Sequence, residues 1–415
     1  MARSEGAGHL LVLGGLTGLG AAATDMYTPA LPVVSQNLHC SAASAQGSVS
    51  AFLFALAVGQ LVLGSLSDAV GRRRLILVAT AAFAASSVAC AFSTSIVELS
   101  AFRALQGLGA AGGMVIGRAV VQDLARGPTA GRQYSRLVMI TGLAPILAPL
   151  VGALLLLAGS WQLIFLAQAG LAVVLLTASA FRLPETLPRS ARIALSPTGV
   201  LTAHRRLLAN RSFAAFALVF GLAAGILFAY VAGYAFCVED TFHASPLAYA
   251  LLFGANAAGM VAVAQLNGRW LINRFPLAWL VRTGLLWSTL AAVTLTAAVV
   301  LHAPLALVAA AMWFIIASRG AIMPNTTSLA MASSSGARGS ASALLGTIQW
   351  LTGAAAALLA GIGGGASATS MVIVILGFSL AALAAVGLLA RGPASQEAAD
   401  PPPDPDGELT AAEAG

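Results

Sequence analysis

Gly64-Ser65-Leu66-Ser67-Asp68-Ala69-Val70-Gly71-Arg72-Arg73-Arg74 is a short polar and basic island joining two apolar runs, residues 48–66 and 75–92. Each run approaches the roughly 20 helical residues needed to cross the hydrocarbon core of a bilayer. Three consecutive arginines are costly inside that core, but on the cytoplasmic face they fix the direction of the spans beside them. The island therefore reads as a tight inner turn between two membrane helices.

The same pattern repeats outward along the chain. Further apolar runs cover residues 9–31, 97–120, 137–159 and 161–181, and then 213–236, 247–271, 280–301, 305–322, 343–361 and 371–389, the tenth continuing past Pro324. Six spans, a gap and six more predict an all-α polytopic membrane protein of twelve helices in two six-helix, pseudo-symmetric bundles. The expected parts are an N-terminus (1–8), a first bundle (9–182), a basic linker acting as a hinge (183–211), a second bundle (212–390) and a tail (391–415). The tail is Pro-rich and holds six of the fourteen acids, a composition that predicts disorder.

Composition supports the same class. Of 415 residues 59% are hydrophobic and only 8% charged, against about 25% charged in a soluble domain. All 21 basic residues are Arg, and they recur after spans 2, 4, 6, 8 and 10 and at Arg3 and Arg391, while the alternate turns hold none. Positive charge marks the cytoplasmic side, so both termini are expected inside. Arginines set between apolar runs serve as topology signals rather than a nucleic-acid surface. The run Leu10 to Leu19 resembles a signal-peptide core, but it continues helically to Leu31 and reads as an uncleaved first span. Cys40, Cys90 and Cys237 lack metal-ligand spacing; Cys40 and Cys237 both fall near the outer face, where a bridge could form, but two unpaired thiols are expected.

Ionisable residues at membrane depth are functional candidates by default, and two lie well inside the spans: Asp25 in the first and Arg103 in the fourth. Asp25 precedes Pro29 and Pro32, which interrupt the helix beside it. A carboxylate in apolar surroundings favours its neutral form, and a neighbouring guanidinium favours the charged one. Two readings follow: a proton-exchanging group, or a fixed Asp25–Arg103 bridge locking spans 1 and 4. In the island, Gly64 and Gly71 permit close approach, and Asp68 is placed to bond the next helix's N-terminus and an arginine of the loop, Arg72 or Arg73. Asp123, near the inner end of span 4, faces that loop as another latch candidate. Tyr27, Gln106, Tyr230, Tyr234, Asn256 and Gln349 are polar groups on apolar spans; each either lines a ligand cavity or makes an interhelical contact.

These segments together resemble the major facilitator superfamily. The island is similar to its signature loop, and four further segments resemble the drug:proton antiporters of twelve spans, in particular the Bcr/CflA group of exporters. They are Asp25-Met26-Tyr27-Thr28-Pro29-Ala30-Leu31-Pro32, Arg103-Ala104-Leu105-Gln106-Gly107-Leu108-Gly109, residues 143–152 and Leu183-Pro184-Glu185-Thr186-Leu187. The resemblance implies proton and substrate coupling at Asp25 and proton transfer linked to Arg103, Gln106 and Gly107. It implies an antiporter motif at Gly142, Pro145, Pro149 and Gly152, where Pro and Gly kink the helix and allow tight packing; a pivot and plain packing fit equally. Ser65, Ala69 and Arg74 depart from the signature loop, and Gly233-Tyr234-Ala235-Phe236 replaces the family's Ser-Pro in span 7. Arg319 stands where small residues are usual, and either snorkels to the inner face or lines the cavity.

The resulting expectation is a non-enzymatic, monomeric exporter of drug-like molecules that rocks between two states and uses protons as its coupling ion, with no other cofactor and no metal. Proton-coupled movement of a metabolite is the nearest alternative. A receptor or channel would not require Asp25. An intramembrane enzyme needs a nucleophile–base pair or metal ligands, yet none of the five histidines lies mid-span. A G-x-x-x-x-G-K-[ST] loop for ATP cannot exist without lysine.

Overall fold

The computed structural model describes residues 2–124, 147–188, 190, 192, 197–334, 338–361 and 368–389. No strand occurs among them. The first group of helices is α1 (Ala2–Asp25), α2 (Leu31–Asn37), α3 (Ala42–Val70), α4 (Arg72–Ala91), α5 (Ile96–Leu124), α6 (Leu147–Ala158) and α7 (Gln162–Arg182). After α8 (Pro197–Ala209) come α9 (Arg211–Phe236), α10 (Pro246–Leu266), α11 (Leu277–Val300), α12 (Leu305–Ala332), α13 (Arg338–Gly361) and α14 (Ala368–Leu389). Among the described residues, 10 helices are long and apolar enough to cross a membrane. The chain is an all-α polytopic membrane protein.

Local sequence explains where helices start. Ser41, Asn210 and Ser245 cap α3, α9 and α10, each side chain accepting from a backbone N–H three residues on. Pro276 and Pro304 immediately precede α11 and α12. The turns after α2, after α9 and before α12 each contain a histidine with positive φ: His39 (47°), His243 (53°) and His302 (53°). All three belong to turns that lack arginine, at the end of the bundle opposite Arg72–Arg74.

Within the first group, α5 packs on α1, α3 and α4, and α7 packs on α1 and α4. Within the second, α9 contacts α12, α13 and α14, while α12 also contacts α10 and α11. The largest contact between the groups is α3 against α13; α2 also touches α9, and the turn after α1 touches α9 and α10. Large side chains such as Phe181, Val97 and Trp287 remain exposed on the outside, as suits a surface solvated by acyl chains.

Three expectations need correction. The first span is not one helix to Leu31: α1 stops at Asp25, a 3-10 turn covers Thr28–Ala30, and α2 runs Leu31–Asn37. Pro29 and Pro32 remove two backbone donors there, and the Thr28 hydroxyl takes the freed Asp25 carbonyl at 3.0 Å. The linker contains α8, whose buried Leu207 joins a cluster with Phe213, Leu344 and Leu345. Its following residue Asn210 donates to the Ser333 carbonyl at 3.0 Å, so this connector is fastened to the second group. Arg319 neither snorkels nor faces the cavity described below. Because α12 continues through Pro324 to Ala332, Arg319 sits at mid-helix, 1% exposed. The proposed motif residues Gly142 and Pro145, and the tail 391–415, lie outside the described residues.

Candidate functional site

The break in α1 creates the site. Where the helix ends at Asp25, a cavity of about 190 Å³ opens between the two helix groups. Thr24 and Asp25 form one wall; Phe228, Tyr230, Phe253, Gln349 and Trp350 are among those forming the other. Asp25 is 7% exposed, and no ion pair involving it occurs among the described residues. The carboxylate thus sits at the edge of an apolar, aromatic-lined space without a compensating cation.

Arg103 does not neutralise it. The guanidinium is fully buried and donates through Nη1 to the Ala23 carbonyl (3.1 Å) and to Gln106 Oε1 (2.6 Å). It lies 4.2 Å from the Phe52 ring centroid and 4.9 Å from that of Tyr27, with Phe165 at 5.9 Å. Cation–π contact replaces a counter-ion here. Its Nε and Nη2 have no hydrogen-bond partner. The fixed Asp25–Arg103 bridge weighed from the sequence is absent. Gln106 passes the network on, donating to Ser87 Oγ (2.7 Å) and Gln168 Oε1 (2.8 Å).

Of the polar residues considered as cavity liners, Tyr230 and Gln349 line the cavity beside Asp25. Asn256 supports that wall by donating to the Tyr230 hydroxyl at 3.0 Å. The others take up packing positions. Tyr27 is sealed within the first group, its hydroxyl 2.9 Å from Ser48 Oγ and its ring 5.2 Å from that of Phe165. Gln106 belongs to the Arg103 network. Tyr234 lies between Tyr230 and Tyr249, with ring centroids 5.0 and 5.9 Å away. Pro149 and Gly152 lie on α6, and Gly152 faces the chain break directly: a Cβ there would collide with the Met26 carbonyl oxygen.

Toward the arginine-free turns the two groups also touch. The Tyr249 hydroxyl of α10 donates to Thr28 Oγ1 at 2.8 Å, joining the two groups across the end of α1. Nothing in the sequence pairs these residues, which stand 221 positions apart.

The Gly71 island forms its own network at the other end. Gly71 adopts φ 110°, a value that favours glycine, and a Cβ would lie 2.6 Å from Glu185 Oε2. Arg72 meets Asp68 at 2.7 Å and Asp123 at 3.3 Å. Asp68 was expected to bond the N-terminus of α4; instead Glu185 does so, accepting from the Arg72 backbone N–H at 2.9 Å. Arg73 donates to the Leu183 and Ala180 carbonyls at 2.8 and 2.6 Å, and Thr186 donates to Asp123 at 2.9 Å. Gly64 packs more loosely, its Cβ position 3.2 Å from Val115 Cγ1. The latch therefore includes Glu185 and Thr186, residues whose segment was visible in the sequence but whose partners were not.

Arg319 heads a second buried network. It donates to the Ala223 carbonyl (3.3 Å) and the Ile315 carbonyl (3.4 Å), and to the Ser288 hydroxyl. Cys40, Cys90 and Cys237 are free thiols. No metal-holding group of His, Cys, Asp and Glu occurs among the described residues.

Comparison with known proteins places this architecture. Residues 13–236 match the profile described as Major Facilitator Superfamily. The chain is 36% identical over 357 residues to the uncharacterized MFS-type transporter YdgK of Bacillus subtilis, spanning 85% of this chain and 88% of that protein. It is 29% identical over 269 residues to multidrug resistance protein D of Escherichia coli, spanning 62% and 67% respectively. Among solved structures, the partially occluded inward-open xylose transporter XylE from E. coli superposes with a TM-score of 0.72 at 15% identity, covering 94% of this chain and 98% of that one.

Proposed function

Since the chain belongs to the major facilitator superfamily of membrane transporters, we propose that it is a drug:proton antiporter of the Bcr/CflA type, exporting small drug-like molecules across the bacterial inner membrane. The observation that carries this reading is Asp25: buried, without an ion-pair partner, and at the edge of an aromatic cavity between two helix groups. An ionised carboxylate there loses solvation without a nearby cation to repay it, and either a proton or a cationic substrate relieves that cost. Occupants that compete for one carboxylate are exchanged rather than carried together. That is the logic of antiport.

In this mechanism the arginine-rich turns are cytoplasmic, and the Tyr249–Thr28 contact closes the outer gate while substrate approaches from the inside. Binding displaces the proton from Asp25. The groups then rock along α3 and α13, the outer gate parts, and a proton from outside replaces the substrate. Each net inward charge gains about 2.3 kcal/mol per 100 mV of membrane potential. Arg103, held to the α1 backbone two residues before Asp25, fixes the position of the helix end that carries the carboxylate. The multidrug resistance protein among the relatives supports drug-like cargo.

Everted membrane vesicles energised by a pH gradient test the reading with ethidium, a planar lipophilic cation, as probe. Wild-type vesicles are expected to accumulate it and Asp25→Asn vesicles to accumulate none, with equal protein in both membranes. Full accumulation by Asp25→Asn would reject Asp25 as the coupling group.

A further inference from the structure

In each helix group the turn between the second and third spanning helices carries arginines, and the two turns meet their charge differently. After α3, Arg72 reaches Asp68 and Asp123, and Arg73 donates to backbone carbonyls. After α10, Arg269, Arg274 and Arg282 are all exposed. No aspartate or glutamate stands between Asp240, at the far end of the bundle, and Glu397. No ion pair involving these three arginines occurs among the described residues. Their counter-charge has to come from outside the second helix group.

The turn is nevertheless held in shape. A single π turn, Asn267–Leu271, continues α10, and the Asn267 side chain exchanges two hydrogen bonds with Asn325 of α12, 3.2 and 2.8 Å long. The backbone N–H groups of Arg274 and Phe275 donate to the Leu271 carbonyl at 3.0 and 2.9 Å. On this base the Arg274 guanidinium lies 5.3 Å from the Trp270 ring centroid, and Phe275 stacks on Trp279 at 4.5 Å. Trp279 and Arg282, three residues apart, share one face of α11, while Leu280 and Val281 are buried. Trp270 is 57% exposed and Trp279 46%.

Exposed indole rings at the end of a span belong at headgroup level, where one edge is apolar and the other wet. The guanidinium fork matches phosphate oxygens, and basic groups beside a membrane surface attract anionic lipid. We propose that the α10–α11 turn is a binding site for anionic phospholipid of the adjoining leaflet. Arg269, Arg274 and Arg282 take the phosphate, and Trp270, Phe275 and Trp279 rest in the interfacial layer beside it. The acidic segment 391–415 is the other source of negative charge, with six acids. It has no aromatic residue and a single large apolar one, Leu409, so it matches the arginines but not the exposed rings. Such binding requires insertion in a membrane and not proton coupling at Asp25.

Quenching of tryptophan fluorescence by lipids with brominated chains tests the site, with the full chain reconstituted in phosphatidylcholine liposomes. Wild type is expected to be quenched at lower fractions of brominated phosphatidylglycerol than of brominated phosphatidylcholine; equal quenching by the two overturns the site. Arg274→Gln/Arg282→Gln is expected to lower that preference by roughly fivefold for each arginine removed. Arg205→Gln/Arg206→Gln removes the same charge from α8, which has no Phe, Tyr or Trp, and is expected to keep most of the preference. An equal loss in both double variants means general attraction to basic charge and overturns a site at this turn. If the first double variant fails to insert, Arg282→Gln alone carries the test, and an unchanged preference there overturns it. Inorganic phosphate in the medium should leave the preference in place; its loss would mark a free-anion site instead. Deleting residues 392–415 should change nothing, whereas a preference that appears only after deletion makes the acidic segment the occupant and overturns the proposal.

Discussion

The two helix groups carry the same device built to different ends. In each, an arginine on the fourth spanning helix is fully buried: Arg103 on α5 and Arg319 on α12. Each donates to a carbonyl on the first spanning helix, Ala23 on α1 and Ala223 on α9. Each also reaches a serine on the third, Arg319 directly to Ser288 and Arg103 through Gln106 to Ser87. The difference lies in what surrounds them. Arg319 places all three guanidinium nitrogens on oxygen atoms, whereas Arg103 leaves Nε and Nη2 unpartnered against aromatic rings. Two residues beyond the accepting carbonyl stands Asp25 in the first group and Gly225 in the second. Arg319 is fully satisfied, whereas Arg103 is not and holds the end of α1 that carries the unpaired Asp25, the group to which we assign proton exchange.

Removing each guanidinium in turn should break the symmetry most sharply. Arg103→Leu is expected to insert and fold while proton-driven ethidium accumulation falls by about 100-fold, because the end of α1 that carries Asp25 loses its anchor. Arg319→Leu is expected to do the reverse. It leaves Ser288 without its donor, costs about 1–3 kcal/mol, lowers the thermal midpoint in detergent and leaves coupling intact in the protein that folds. Equal loss of stability in both variants would erase the distinction.

A smaller effect is expected at Gly152. An alanine there must displace either α6 or the Met26 carbonyl, an overpacking cost of about 1–3 kcal/mol that falls on the segment carrying Asp25. Transport should fall more than the thermal midpoint suggests; unchanged transport would mean that α6 yields freely. Smaller still, Tyr249→Phe removes one hydrogen bond across the gate, worth about 1 kcal/mol or a fivefold shift in the closed population. Labelling of a cysteine placed at Gln46 from the outer side should accelerate by about that factor, and an unchanged rate would remove Tyr249 from the gate.

The sequence made the helical architecture readable because membrane spans are decided locally, by runs of apolar residues and by the side on which arginines fall. Asp25 and Arg103 stood out for the same reason, as charges where charge is costly. What stayed hidden depended on distance. Glu185 bonds a backbone N–H 113 positions away, and Tyr249 bonds a residue from the other group; neither leaves a local pattern. Arg319 falls near the end of the apolar run 305–322, which suggests a place near the inner gate; the helix runs on to Ala332 and leaves the arginine at its centre. Tyr27 and Gln106 have the chemistry of ligand-binding groups, but they face helices already packed around Arg103. Polarity marked them; only the packing assigned their direction.

Release of protons on substrate binding tests the account most directly. Ethidium is added to purified protein in weakly buffered detergent while the pH of the medium is followed. Wild type should acidify the medium until the probe saturates, and Asp25→Asn should bind or fail to bind without acidification. A wild-type protein that binds ethidium and releases no proton, or an Asp25→Asn protein that releases as many as wild type, would contradict it.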